Sequence, residues 1–269
     1  MANHLVWNGS PEIFNLGFFS LRWYGALFAL GFFIGLRILN RISRRDGLVP
    51  EGFDSMLSYV ILGTVAGARL GHVFIYEPSV FLSDPLRILK VWEGGLASHG
   101  GVLGVILAVY LWKRRHFKGP VLTLLDYLSV PSTMVGGFIR LGNFFNSEIL
   151  GRPTDVAWAV VFKRVDELPR HAAMLYESFC YFAIFAFMMW LLRRGVHRRY
   201  GNGFMTGVFF VAVFSARFLI EFVKEVQIAS EASLPLDLGQ ILSVPFIGTG
   251  LFLLWRSGFP RGGIDREGS

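Results

Sequence analysis

Seven stretches of this chain are apolar for about the length a helix needs to cross a bilayer, roughly 20 residues for a hydrocarbon core of about 30 Å. They cover roughly residues 16–39, 53–76, 96–112, 121–145, 175–192, 204–223 and 238–255. A backbone in lipid must satisfy its own hydrogen bonds, so such runs read as helices. The third is short for a full crossing, and the second carries Arg69 and His72. Composition agrees, because 17% of the 269 residues are charged and 53% apolar, against about 25% charged in soluble domains. The expected class is an all-α polytopic membrane protein: one integral domain over residues 1–269 with about seven transmembrane helices. Residues 1–17 are polar and mixed, without the basic start of a signal peptide, so the first helix is expected to stay in the mature protein. The lone Cys180 sits inside an apolar run and reads as a small core hydrophobe.

A net charge of +7 would suit a nucleic-acid binder if the basic residues formed one stripe beside a readable motif. They gather instead after alternate apolar runs: Arg41, Arg44 and Arg45; Lys113, Arg114, Arg115 and Lys118; Arg193, Arg194, Arg198 and Arg199; Arg256, Arg261 and Arg266. The other loops are mixed, with Glu77, Asp84, Arg87, Lys90 and Glu93 in one and Lys224, Glu225, Glu231 and Asp237 in another. Short cytoplasmic loops carry the Lys/Arg excess. That predicts an N-terminus outside, a C-terminus in the cytoplasm and no nucleic-acid partner. Residues 151–171, with Pro153, Asp155, Lys163, Arg164, Asp166 and Glu167, read as a small extracytoplasmic cap between helices 4 and 5. The alternation over residues 156–162 suggests a short hairpin there, and residues 261–269 read as a cytoplasmic tail.

Polar side chains inside membrane spans are costly and mark functional sites by default. With this orientation they fall on one side. Arg22 and Tyr24 lie near the outer start of the first helix, Arg69 and His72 near the outer end of the second, and His99 at the outer start of the third. Arg140, Asn143, Asn146 and Glu148 occupy the outer end of the fourth, Arg217 and Glu221 the outer half of the sixth, and Gln240 the outer start of the seventh. The inner halves are nearly clean, with Arg37 and Asp126 at their edges. A transporter places its site near the midplane, commonly between repeated halves; this pattern points to a site open to the outer leaflet and its lipid headgroups.

If helical, Arg140, Asn143 and Asn146 recur at i, i+3 and share a face. A guanidinium with two carboxamides can bind a phosphodiester, for which the planar Arg fork is suited. The structural alternative is a snorkelling Arg with interhelical amide bonds. His99-Gly100-Gly101 with Gly104 opens the third helix; His99 can be a base or a phosphate donor, or simply a structural interfacial His. Arg217 and Glu221, at i, i+4, allow an ion pair that is either structural or orients an Arg toward phosphate. Tyr24 can belong to an aromatic belt. Arg69 and His72 can line the same cavity or only stabilise the bundle. No metal-site spacing, phosphate loop or G-x-S-x-G element appears in the sequence.

Five ordered elements resemble the prolipoprotein diacylglyceryl transferase family: Trp23-Tyr24-Gly25; His99-Gly100-Gly101 with Gly104; Arg140-x-Gly142-Asn143-Phe144-x-Asn146-x-Glu148-x-x-Gly151; Arg217-x-x-x-Glu221-Phe222; and Asp237-Leu238-Gly239-Gln240-Ile241-Leu242-Ser243. Two positions depart from the family's usual pattern: Ile139 stands where Gly is common, and Met174 where Gln is usual. The resemblance implies seven transmembrane helices, an extracytoplasmic cap and an outer-leaflet site in a bacterial inner membrane, with no metal or other cofactor. The implied reaction moves the sn-1,2-diacylglyceryl group of phosphatidylglycerol to the lipobox cysteine of a preprolipoprotein and releases glycerol 1-phosphate. By the same resemblance His99, Arg140 and Arg217 are catalytic, and Tyr24, Asn143, Asn146, Glu148, Gly151 and Glu221 bind substrate. Arg69, His72 and Gln240 are expected to line the cavity. The rival readings are a transporter or flippase for an anionic lipid, and a different headgroup transferase at the same leaflet.

Overall fold

A computed structural model of the chain describes residues 4–16, 20–48, 53–76, 79, 84–89, 97–225 and 236–258. The expected tail over residues 261–269 lies outside the described residues. Among the described residues seven long helices follow one another: α1 (Trp23–Arg45), α2 (Phe53–Gly71), α3 (Ser98–His116), α4 (Val121–Asn146), α5 (Ala173–Arg193), α6 (Phe204–Glu221) and α7 (Leu238–Ser257). All except α3 are long and apolar enough to cross a membrane. Every 18-residue stretch of α3 contains Lys113, Arg114 and Arg115, so the third run forms a helix of spanning length whose end is strongly basic.

The chain divides into two compact units, one of residues 1–40 and 128–269 and one of residues 41–127. In the second unit α2 and α3 pack through glycines. A Cβ at Gly63 would lie 2.6 Å from the Gly104 carbonyl oxygen, and one at Gly71 would lie 2.8 Å from the Gly100 Cα. Small residues at such spacing let membrane helices approach closely and supply the packing that lipid does not drive. Gly100 and Gly104 of the His99 motif therefore serve a helix contact, whereas a Cβ at Gly101 meets only ordinary van der Waals neighbours. Gly104→Leu is expected to destabilise the fold by about 1–3 kcal/mol through overpacking, read as a lower melting temperature in detergent; an unchanged melting temperature would contradict this packing.

The first unit starts as β-structure. Hydropathy places residues 16–22 in the first helix; residues 17–19 lie outside the described residues, while β2 (Glu12–Asn15) and β3 (Ser20–Arg22) form an antiparallel pair and α1 begins at Trp23. Leu16 and Leu21 supply hydropathy here without helical structure. At its far end α1 stops where Gly47 turns at φ +72°, with the Leu48 amide donating to Ser43 O (2.8 Å) and the Gly47 amide to Arg44 O (3.2 Å). That is the Schellman pattern, which needs a residue free to adopt a left-handed backbone.

Between α4 and α5, β4 (Val160–Phe162) pairs antiparallel with β5 (Pro169–Arg170), the short hairpin that the alternation predicts. The N-terminal strand β1 (Leu5–Trp7) adds to β4 in parallel, giving the order β1-β4-β5. The sheet is held by a buried apolar cluster of Leu150, Val160, Phe162, Ala172 and Met174, against which Trp7, Phe144 and Leu175 pack. The Trp7 and Phe144 rings lie 4.4 Å apart. Met174, where the family usually has a polar amide, is fully buried in this cluster, so here the position contributes apolar packing.

Candidate active site

The last turns of α4 aim Arg140, Asn143 and Asn146 along one stripe, as their spacing predicts. The chain then reverses through two non-glycine residues with positive φ, Ser147 (55°) and Ile149 (60°). A left-handed conformation is uncommon at a β-branched residue and costs energy. This turn folds Glu148 back onto the helix. Its Oε1 accepts from Asn143 Nδ2 at 2.7 Å and Asn146 Nδ2 at 3.2 Å. Asn143 Oδ1 in turn accepts from Arg140 Nη1 at 3.2 Å. The amides are therefore the link between a carboxylate and a guanidinium.

Arg140 continues the chain of contacts to α5. Its Nε lies 2.8 Å from Oε2 of Glu177, a carboxylate with no exposed surface. The other oxygen, Oε1, accepts from Arg217 Nη1 of α6 at 3.2 Å and from Lys224 Nζ at 3.1 Å. Lys224 also donates to Glu221 Oε2 at 3.0 Å. Three cations and three carboxylates thus form one continuous network. The i, i+4 spacing suggested Arg217 with Glu221; in the structure each takes another partner, Glu177 for Arg217 and Lys224 for Glu221. Buried charges are costly unless paired and hydrogen-bonded; here Glu177 Oε2 meets Arg140 as an ion pair without a hydrogen bond, and two further polar atoms of the network lack a partner among the described residues. Arg217 Nε is buried without a hydrogen-bond partner among the described residues, as is Asn146 Oδ1. The site therefore holds a free donor beside clustered cations, the arrangement an oxyanion would complete.

Glycines and a backbone crossing keep these parts together. The Gly151 amide donates to His171 O (2.9 Å) and the Arg152 amide to Val223 O (2.8 Å), while the Glu225 amide donates to Leu150 O (3.1 Å). Residues 150–152 thereby run between the start of α5 and the end of α6, which carries Lys224 into the network. Burial pushes the Lys224 ammonium below its usual value, opposed by the Glu177 carboxylate. At the start of α7, a Cβ on Gly239 would fall 2.7 Å from the Glu221 carboxyl carbon. Gln240 accepts from the Asp237 amide in a capping box and donates to Phe218 O at 3.3 Å, so its amide is committed to backbone groups. Tyr24, at the start of α1, packs on Gly142, where a Cβ would be 2.8 Å from its ring; it lies within electrostatic reach of Arg140 and Glu148.

In the hairpin segment Arg170 joins Asp166 (Nε to Oδ2, 3.0 Å), Glu225 (3.0 Å) and the Gly151 carbonyl (3.3 Å). The Arg170 hydrogen bonds hold the Asp166 carboxyl below its ordinary value. A depressed carboxyl stabilises the fold above its unfolded value and loses that contribution as pH falls through the folded value. Below about pH 4, the ordinary aspartate range, residues 151–171 are expected to loosen. Hydrogen exchange at pH 3 should be faster there than at pH 6 after correction for intrinsic rates; equal protection would contradict the prediction.

The remaining expected residues belong to the second unit. His99 sits in the first turn of α3, 2% exposed. Arg69 donates from Nε to Ile88 O at 3.1 Å. His72 stacks on Tyr76 in the π-helical turn that extends α2. Within the first unit, Tyr24, Arg140, Asn143, Asn146, Glu148, Gly151, Arg217, Glu221 and Gln240 all gather at the end where the network lies. Sequence reasoning passed over Glu177 and Lys224. The signal available for Glu177 was a carboxylate one turn inside an apolar helix; Lys224 carried no signal beyond its place in a mixed loop. No group of three His, Cys, Asp or Glu among the described residues is placed to hold a metal ion.

Residues 11–256 match the sequence model of a family described as prolipoprotein diacylglyceryl transferase. A phosphatidylglycerol–prolipoprotein diacylglyceryl transferase of Tolumonas auensis is 49% identical over 250 residues, covering 93% of this chain and 96% of its own length. Proteins of the same name from Chloroherpeton thalassium and Porphyromonas gingivalis are 46% identical over 259 residues and 42% over 268. The alignments cover 95% of this chain and of the Chloroherpeton protein, and 94% of this chain and of the Porphyromonas protein.

Proposed function

This chain belongs to the prolipoprotein diacylglyceryl transferase family, and we propose that it transfers the sn-1,2-diacylglyceryl group of phosphatidylglycerol to a prolipoprotein. It is a transferase and a multi-pass membrane protein. The finer reading places it in a bacterial inner membrane with its N-terminus and residues 151–171 outside. The acceptor is then the lipobox cysteine of a preprolipoprotein signal peptide.

The chemistry sets the demands on the site. The cysteine sulfur attacks the diacylglyceryl C3, the C–O bond to phosphate breaks with its electrons on oxygen, and the thiol proton goes to a base. A thioether forms, and a phosphodiester with one negative charge leaves as a phosphomonoester that gains a second. Catalysis comes from interactions that strengthen as that charge develops. Arg140 and Arg217 are assigned to the phosphate. The observation that carries this assignment is their convergence on one buried carboxylate while Arg217 keeps an unpartnered buried N–H. Asn143, Asn146 and Glu148 are assigned to orienting Arg140 and the glycerol headgroup, Glu221 to holding Lys224, and Tyr24 to contact with bound lipid. His99 is assigned to the thiol or the phosphate on the strength of its Gly-Gly motif; a kcat/KM pH profile that loses its acid limb in His99→Gln identifies the base, and an unmoved profile the phosphate donor.

The test is covalent. After incubation with phosphatidylglycerol vesicles, a lipobox peptide should gain the mass of a diacylglyceryl group on its cysteine. A flippase would leave lipid and peptide unmodified, so redistribution of the lipid without peptide modification would overturn the proposal. For the topology, a cysteine placed at Asp155 is expected to react with a membrane-impermeant thiol reagent on intact spheroplasts. Labelling only after membrane rupture would reverse the orientation.

A further inference from the structure

Glu177 lies at the centre of the charged network in the first unit. Its carboxylate has no exposed surface, yet it meets three cations from three parts of the chain: Arg140 at 2.8 Å, Arg217 at 3.2 Å and Lys224 at 3.1 Å. Two guanidinium groups brought together in a low-dielectric interior repel strongly. Among the described residues Glu177 is the one carboxylate in ion-pair contact with both, because Glu221 is bound to Lys224 and Glu148 to the two amides. We propose that Glu177 is the positioning residue of this site, a fixed central anion that sets the spacing and facing of Arg140 and Arg217 before the lipid phosphate arrives.

This inference rests on the diacylglyceryl-transfer reading and adds a division of labour to it. Glu177 holds Nε of Arg140 in ion-pair contact at one oxygen and accepts a hydrogen bond from Nη1 of Arg217 at the other, so a single buried carboxylate ties both guanidinium groups together. Preorganised donors lose no reorganisation energy when charge develops. A carboxylate in this position also opposes anion binding. Arg140, Arg217 and Lys224 are balanced by Glu148, Glu177 and Glu221, so the network is formally neutral before an anionic lipid enters. Glu177 therefore weakens ground-state attraction for phosphatidylglycerol while improving the geometry used in the transition state, as efficient catalysis requires.

That opposition gives a kinetic signature which a merely structural residue lacks. In full-length protein reconstituted with phosphatidylglycerol and a lipobox peptide, Glu177→Gln should lower kcat by about 100-fold, the scale of an ångström-sized misplacement. Its KM for phosphatidylglycerol should stay level or fall, because one negative charge has left the site. Glu177→Asp keeps the charge but is one methylene too short to span both arginines; it should lose about tenfold in kcat at unchanged KM and remain folded. If the Gln variant fails to fold, the Asp variant decides: a kcat within threefold of wild type, at a normal melting temperature, overturns the proposal. A folded Gln variant with wild-type kcat, or with KM raised and kcat kept, overturns it equally. Wild-type protein that transfers nothing removes the transfer reading itself and this inference with it. Active wild type beside an unimpaired Glu177→Gln removes this inference alone.

Discussion

Arg140→Ala is expected to lower kcat/KM for transfer by about 1,000-fold, at the upper range for losing one donor to a developing oxyanion. Arg140 connects the two halves of the network: Nη1 reaches Asn143 and Nε reaches Glu177. On the proposed assignment its removal takes a donor from the phosphate, and it leaves the Asn143 carbonyl and a Glu177 oxygen without their cation. Arg140→Lys should recover little, because an ammonium cannot reproduce the two-sided fork. Initial rates in vesicles, with a thermal melt on the same preparation, separate chemistry from folding. A folded Ala variant with near-normal turnover would remove Arg140 from the site.

Gly151→Val is expected to cost about 2–3 kcal/mol of stability through forced overpacking and to reduce transfer by about 100-fold through misplacement of the network. The added Cβ would meet His171 Cβ at 2.5 Å and the carbonyl oxygens of His171 and Val223 at 2.7 Å. Two of these three atoms are backbone and belong to the crossing that brings Lys224 to Glu177, so they cannot yield without opening it. Gly248→Ala, with nothing within 4 Å of its new Cβ, is the matching control and should change neither quantity. A Gly151→Val protein that melts and turns over like wild type would show that the crossing does not hold the site.

How much of this was legible beforehand depends on the range of each interaction. The helices follow from hydropathy, which is a local property, and so do the stripe of Arg140, Asn143 and Asn146 and the short hairpin before α5. Hydropathy misplaces the start of α1 because Leu16 follows β2 directly and Leu21 lies in β3, where the hydrogen bonds go to a strand pair. Glu177 escaped notice for the opposite reason. Its partners are 37, 40 and 47 residues away (177 − 140, 217 − 177 and 224 − 177), and no spacing rule within one helix can reveal them. The expected Arg217–Glu221 pair shows the same limit: i, i+4 geometry permits the contact, but tertiary packing offered each side chain a better-placed partner. The turn through Ser147 and Ile149 was equally hidden, since neither residue type advertises a left-handed backbone.

The central claim is that clustered cations at this end of the bundle hold a phosphate while sulfur displaces it from carbon. The most direct measurement follows both products of one turnover, using phosphatidylglycerol carrying one label in the diacylglyceryl part and another in the terminal glycerol. Wild-type protein with a lipobox peptide should place the first label on the cysteine and release the second as glycerol phosphate in equal amounts, and Arg140→Ala should do neither. Headgroup release without label on the cysteine, or unequal yields of the two products, would contradict the account.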